Sequence, residues 1–180
     1  MTNVIFDTET TGYVQSLQAP LAIQPKIIEL FALKVDDDFE ILDELELLID
    51  PKEKLSEEIQ KVTGLRDEDL IGKGEFSRHF PAVRDFWFGC ERSTGHNITF
   101  DCDMLEVELS RLGMVTRFPW SPKRSCTVEL SEHYMGRRLK LIDLHTYLFG
   151  TGFEQAHRAR NDVMATYRCA KEMHRRGDFS

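Results

Sequence analysis

The tightest constraint on the fold lies at residues 4–9, Val-Ile-Phe-Asp-Thr-Glu, which read as a strand that stops at Thr11-Gly12. Strand side chains alternate, so Ile5, Asp7 and Glu9 project to one face while Val4, Phe6 and Thr8 project to the other. Same-face neighbours sit about 6–7 Å apart at a rise of about 3.3 Å per residue. Two carboxylates on an otherwise apolar strand therefore repel each other and resist losing water. A buried pair of this kind needs cations, and hard oxygen ligands favour Mg²⁺ or Mn²⁺. A solvent-facing edge strand carrying two acids is an equally good reading of this segment taken alone.

Two further strands follow over residues 27–35 and 40–50, joined at Asp36-Asp37-Asp38, to complete a three-stranded meander. Residues 56–62 read as a short helix with Ser56 as N-cap and Gly64 just past its end, and residues 81–88 as another. Residues 101–112 form an amphipathic helix closed by Gly113, and residues 161–174 form the last helix. Two strands are expected to return near residues 94–97 and 124–128. Strands first and helices later predict an α/β fold with a mixed sheet covered by helices. No linker or repeat divides the 180 residues, and 41% hydrophobic residues suffice for one core, so one domain over residues 1–180 and one active site are expected.

Both late helices carry an acid on their apolar stripe. Asp101 shares one with Leu105, Leu109 and Leu112, near the positive end of its helix, whereas Asp103 is rotated away and reads as a solvated acid. Asp162 shares a stripe with Ala165, Thr166, Cys169 and Met173. His157 precedes Asp162 by five residues, about 140° apart on a continuous helix at 3.6 residues per turn. For the two to act together, His157 must lie in the loop after Gly150-Thr151-Gly152 or where that loop enters the helix. A loop-borne imidazole can accept a proton from an activated water. Each of these residues alone has a bland reading as a dipole partner or an exposed histidine.

Together they resemble the DnaQ-like, or DEDDh, superfamily of 3′→5′ exonucleases, which includes bacterial polymerase proofreading subunits, RNase T and oligoribonuclease. Val4 through Gly12 is similar to the first exonuclease motif, Gly95-His96-Asn97-Ile98-Thr99-Phe100-Asp101 to the second, and His157-Arg158-Ala159-Arg160-Asn161-Asp162 to the third. Ile27-Ile28-Glu29 with Ala32-Leu33-Lys34-Val35 resembles the second strand, and Val62-Thr63-Gly64-Leu65 the thumb-like helix turn. The resemblance implies a ribonuclease H-like three-layer fold with a mixed five-stranded sheet flanked by helices. It implies that Asp7, Glu9, Asp101 and Asp162 hold two divalent ions, Mg²⁺ or Mn²⁺, and that His157 is the general base. It further implies that Thr10 and Thr11 meet the terminal nucleotide and that His96 and Asn97 shape its pocket. With His157 five residues before Asp162 in the third motif, the resemblance is to the histidine branch rather than the tyrosine branch.

Three departures stand out. Residues 13–26, with Pro20 and Pro25, are longer than the usual connection from the first motif to the second strand. Phe31 stands where many relatives have Gly, and Cys90-Glu91-Arg92-Ser93-Thr94 is polar where relatives have an apolar strand.

The formal charge of −8 weighs against a polyanionic partner until its distribution is considered. Residues 1–50 carry two Lys against eleven Asp and Glu, while residues 121–180 carry eleven Lys and Arg against seven acids. The implied partner is a single-stranded nucleic-acid 3′ end, with DNA ahead of RNA trimming of the oligoribonuclease or RNase T kind. A catalytically silent nucleic-acid-binding module is the reading from a different class, although all five motif residues are present. Tight tethering to a DNA polymerase is disfavoured because the chain ends soon after the last helix, though another surface would serve. The oligomeric state is open. The four cysteines have no metal-ligand spacing, and with no signal segment or membrane span the expected location is cytoplasmic.

Overall fold

The structure, a computed structural model, describes residues 2–153 and 157–178. Its centre is β1 (Asn3–Thr10), flanked by β2 (Ile27–Val35) and then β3 (Ile41–Leu48) in an antiparallel meander. On the other side β4 (Arg92–Gly95) and β5 (Lys123–Cys126) run parallel to β1, giving the order β3-β2-β1-β4-β5. The α-helices among the described residues are α1 (Glu57–Thr63), α2 (Asp67–Leu70), α3 (Phe76–Trp87), α4 (Ile98–Arg111), α5 (Thr127–Leu130), α6 (Glu132–Met135), α7 (Leu141–Phe149) and α8 (Ala159–Arg176).

Residue parity in β1 decides which layer each side chain enters. Val4 and Phe6 join Leu30 and Ala32 under α3 and α4, where Phe6 meets Trp87 edge to face at 5.0 Å. Ile5 joins Phe31, Leu33 and Val35 under α7 and α8. Apolar side chains on both faces of the central strands force helices onto both faces, so the expected three-layer mixed sheet is borne out.

Local chemistry explains the element ends. The β2–β3 turn closes on Asp36, whose Oδ1 accepts the N–H groups of Asp38 at 3.0 Å and Glu40 at 2.8 Å. Ser56 caps α1 by accepting from Ile59 N, and Gly64 ends it in the left-handed region at φ 72°.

Several boundaries differ from the sequence-based expectation. The fourth strand overlaps the expected residues 94–97 but is shifted two residues toward the N-terminus, beginning in the polar segment at Arg92 and ending at Gly95. Its buried hydroxyls are satisfied across the sheet, Ser93 by Ser121 Oγ at 3.0 Å and Thr94 by Asn3 Oδ1 at 3.0 Å. Helix α3 starts at Phe76, so Pro81 lies inside it rather than at its start. Helix α4 begins at Ile98, three residues early, because the chain turns hard after β4. A Cβ on Gly95 would meet Ile98 Cβ at 3.1 Å, and Asn97 sits at φ 69°. Asp103 is half-buried rather than solvated, with the charge of Arg124 acting on it. Phe31 repacks the α8 face, with the Arg160 guanidinium 4.8 Å over its ring. The long connection at residues 13–26 is pinned at its base, where Arg111 Nη2 reaches the carbonyls of Gln24 at 2.8 Å and Pro25 at 3.0 Å. All four cysteines are buried free thiols.

Candidate active site

The pairing of β1 with β4 stops at Ile5–Thr94, after which β4 peels away into α4. The second half of β1 is left without a strand partner on that side, and its N–H groups need other acceptors. Asp101 of α4 fills that need at Thr8, its Oδ1 accepting from Thr8 N at 2.9 Å and from Thr8 Oγ1 at 2.7 Å. The acid therefore arrives from the α4 layer at the point where two parallel strands part.

Asp7 and Glu9 face the opposite layer, across from Phe31 and Glu29 of β2. Asp162, in the first turn of α8, meets them there. One carboxylate oxygen from each of Asp7, Glu9 and Asp162 lies within 4.8 Å of the others. Asp101 falls outside that trio, yet it is the strongest single charge acting on Asp7.

Crowding partly buried acids together has an electrostatic cost. Burial, then the charge of Asp101, pushes the Asp7 carboxyl well above its ordinary range. Burial, followed by Asp162, Glu29 and Asp101, raises Glu9 to about 8. Burial raises Asp101 to about 7 against the pull of its Thr8 hydrogen bonds, and burial raises Asp162 against the His157 amide. Protons alone can relieve this repulsion, but a divalent cation does so without protonating the oxygens. The all-oxygen trio fits a hard ion such as Mg²⁺ or Mn²⁺, as the sequence led us to expect.

His157 lies in the loop entering α8. Its backbone is left-handed at φ 68°, a conformation that costs a β-carbon residue about 1 kcal/mol or more. The hydrogen bond from His157 N to Asp162 Oδ2 at 2.8 Å holds it there. The residue is exposed and borders two clefts. One, of about 680 Å³, is lined by Asp7, Asp162, His96, Asn97 and the residues leading into α7. The other, of about 310 Å³, is lined by Glu9, Thr10, Thr11, Tyr13 and Phe100.

The four residues expected to meet substrate divide between these clefts. His96 Nδ1 pairs with Thr127 Oγ1 at 2.9 Å, and burial lowers its pKa to about 4, so it is neutral at neutral pH. Asn97 is exposed beside it. The Thr10 hydroxyl donates to Gly12 O at 2.6 Å, and Thr11 Oγ1 accepts from Lys26 N at 3.0 Å, so both threonines also fasten the long loop.

Two features escaped sequence reasoning. Strand alternation marks Thr8 only as a residue of the opposite face, and nothing in its own neighbourhood signals its grip on Asp101. Glu29 is 1% exposed and bound by Arg158 through Nη2 at 2.8 Å and Nε at 3.1 Å. Its signal in the sequence is a lone acid inside an apolar strand.

Comparison with known proteins gives this geometry its family. The model of the RNase T family, described as exonuclease, matches residues 4–170. A PolC-type DNA polymerase III of Staphylococcus aureus is 32% identical over 169 residues, which is 92% of this chain but 11% of the polymerase. The chain thus spans about a ninth of the length of the curated relatives it matches. Among solved structures, the nuclease domain of 3′hExo, a DEDDh family member bound to rAMP, superposes with a TM-score of 0.79 at 17% identity, covering 98% of this chain and 92% of that one. Exonuclease X in complex with 5′ overhanging duplex DNA superposes with a TM-score of 0.65 at 21% identity, covering 97% and 93%. These likenesses carry the fold. The family match, running along nearly the whole sequence, carries the assignment: the chain belongs to the RNase T exonuclease family, the DnaQ-like 3′→5′ exonucleases, which are metal-dependent phosphodiester hydrolases.

Proposed function

We propose that this chain shortens a single-stranded nucleic acid from its 3′ end one nucleotide at a time, releasing nucleoside 5′-monophosphates, with DNA preferred to RNA. The observation that carries the reading is the approach of Asp7, Glu9 and Asp162 to within 4.8 Å of one another beside Asp101, all four with raised pKa values. Asp7, Glu9, Asp101 and Asp162 would hold Mg²⁺ or Mn²⁺, two ions per site. When bound, such ions offset charge on the attacked phosphate and make water easier to ionise.

His157 takes the proton of the attacking water. The water oxygen bonds to phosphorus as the bond from phosphorus to the 3′ oxygen of the penultimate nucleotide breaks, and that oxygen acquires a proton from solvent. Neutral His96, with Asn97, borders the larger cleft and offers uncharged hydrogen-bonding groups to the terminal nucleotide; Thr10 and Thr11 border the smaller one. His157 borders both clefts, which supports a role for its imidazole between an incoming strand and the carboxylates.

The DNA preference draws support from the PolC-type polymerase, a DNA enzyme by name, and from exonuclease X, solved with DNA. The same polymerase supports DNA polymerase as a partner. The 3′hExo nuclease domain bound to rAMP supports RNA trimming as the second reading. Three apolar clusters built around one sheet support a single exonuclease domain over residues 1–180. Among the described residues no helix is long and apolar enough to cross a membrane.

The test is a 5′-labelled single strand incubated with Mg²⁺, with and without chelator, as DNA and as RNA of one sequence. The expected result is a one-nucleotide ladder, faster on DNA, that vanishes with chelator and in Asp7→Ala. Binding without shortening overturns the catalytic reading, and faster cleavage of RNA reverses the substrate order.

A further inference from the structure

We propose that Glu29 and Arg158 are positioning residues, an ion pair between a buried carboxylate and a half-exposed guanidinium that sets His157 and Asp162 against the carboxylates of β1. The inference rests on the catalytic reading above and deepens it.

Glu29 belongs to a strand otherwise made of apolar side chains and Lys34, and it is almost fully buried. A carboxylate in such a place needs both charge and hydrogen-bond partners. It has them from one direction. Arg158 Nη2 and Nε reach its two oxygens at 2.8 and 3.1 Å, and Ala159 N donates to Oε2 at 3.1 Å. The latter is the first amide of α8, so Glu29 supplies the N-terminal cap that no side chain of the helix's own cap residue provides.

The consequence is geometric. Glu29 is the cross-strand partner of Glu9, on the same face of the sheet. Fastening Arg158 and Ala159 to it fixes the height at which α8 begins relative to Asp7 and Glu9. His157 is the residue immediately before this anchor, and its left-handed backbone passes its N–H to Asp162, one turn into the helix. One ion pair anchored on a buried carboxylate therefore determines both where Asp162 meets Asp7 and Glu9 and where the side chain of His157 leaves the chain. A planar guanidinium gripping two oxygens transmits orientation as well as charge, which an ammonium does not.

The experiment compares Glu29→Gln, Arg158→Ala and Arg158→Lys with the unaltered chain on a short single strand. It measures kcat and KM, together with amide hydrogen exchange across residues 157–163 and across β2 in metal-free protein. Positioning predicts that Glu29→Gln and Arg158→Ala lower kcat about 10–100-fold while KM moves less than about threefold. It predicts that exchange at 157–163 rises about tenfold or more while β2 stays protected, and that Arg158→Lys recovers part of both. Should Glu29→Gln not fold, the half-exposed Arg158 variants decide the matter. Unchanged kcat per folded molecule with unchanged local exchange makes the pair merely structural and overturns the inference. An unaltered chain that shortens no strand at all defeats the catalytic reading instead, and the two failures are distinguishable.

Discussion

Replacing Glu9 with glutamine should make the metal-free protein more stable, and the size of the effect should depend on pH. Burial, then Asp162, Glu29 and Asp101, raises the Glu9 carboxyl from 4.5 to about 8. A raised folded-state pKa means that the folded chain holds the proton more tightly than the unfolded chain does. The carboxyl therefore costs nothing below about 4.5; the cost grows as pH rises and is complete above about 8. At 1.36 kcal/mol per pH unit, the full shift corresponds to roughly 5 kcal/mol and its value at pH 7 to roughly 3 kcal/mol. Neighbouring acids share protons, so a net gain of about 1–3 kcal/mol is a sounder expectation at neutral pH. For a chain of this size that is a rise in melting temperature of roughly 2–12 °C. The assay is thermal unfolding of both proteins in chelator at pH 5 and pH 8, repeated with millimolar Mg²⁺. The gap should be under about 1 kcal/mol at pH 5 and widest at pH 8, and Mg²⁺ should narrow or reverse it by stabilising the native sequence more. A gap of the same size at both pH values, or a Glu9→Gln protein that melts lower at pH 8 in chelator, refutes the electrostatic account of the cluster.

Removing the imidazole with His157→Ala should lower kcat about 10²–10⁴-fold with little change in strand binding; equal losses in both would take His157 out of the base role. Thr8→Val deletes one of the two hydrogen bonds on Asp101 Oδ1 while keeping the shape of the side chain, and should weaken Mg²⁺ binding about tenfold by calorimetry; unaltered affinity would show that the backbone N–H alone suffices. Ser56→Ala removes the cap of α1 and should cost about 1 kcal/mol, read as a melting temperature lower by roughly 2–4 °C, with strand cleavage otherwise intact.

The sequence was most legible where local pattern and tertiary demand agree. β2 is found at the expected residues because an apolar run of that length admits few alternatives. β1 extends its expected span by one residue at each end. The fourth strand begins two residues before the expected start because Arg92 and Ser93 read as loop, and Asn3 and Ser121, distant in the chain, make the polarity of Ser93 and Thr94 admissible. Pro81 invites a helix start, whereas α3 tolerates it internally. Leu141–Phe149 is short, and Asp143, His145 and Thr146 interrupt its apolar residues, so the sequence pattern does not single out α7. In the site, parity put Asp7 and Glu9 on one face and stripe position put Asp162 on another, and these three lie together in space. The hold of Thr8 on Asp101 and of Glu29 on Arg158 joins residues 93 and 129 positions apart, and no local pattern encodes them.

Because the acids come from both ends of the chain, the site also has an order of assembly. A nascent chain emerging from the ribosome has its central sheet residues long before residue 162 is made, so Asp7 and Glu9 stay hydrated and apart from their third companion through most of synthesis. Asp101 and Glu9 already act on Asp7 before that point, and the docking of the last helix adds Asp162 to them, so a chain truncated before that helix should carry a smaller electrostatic burden and a weaker cation affinity than the finished protein.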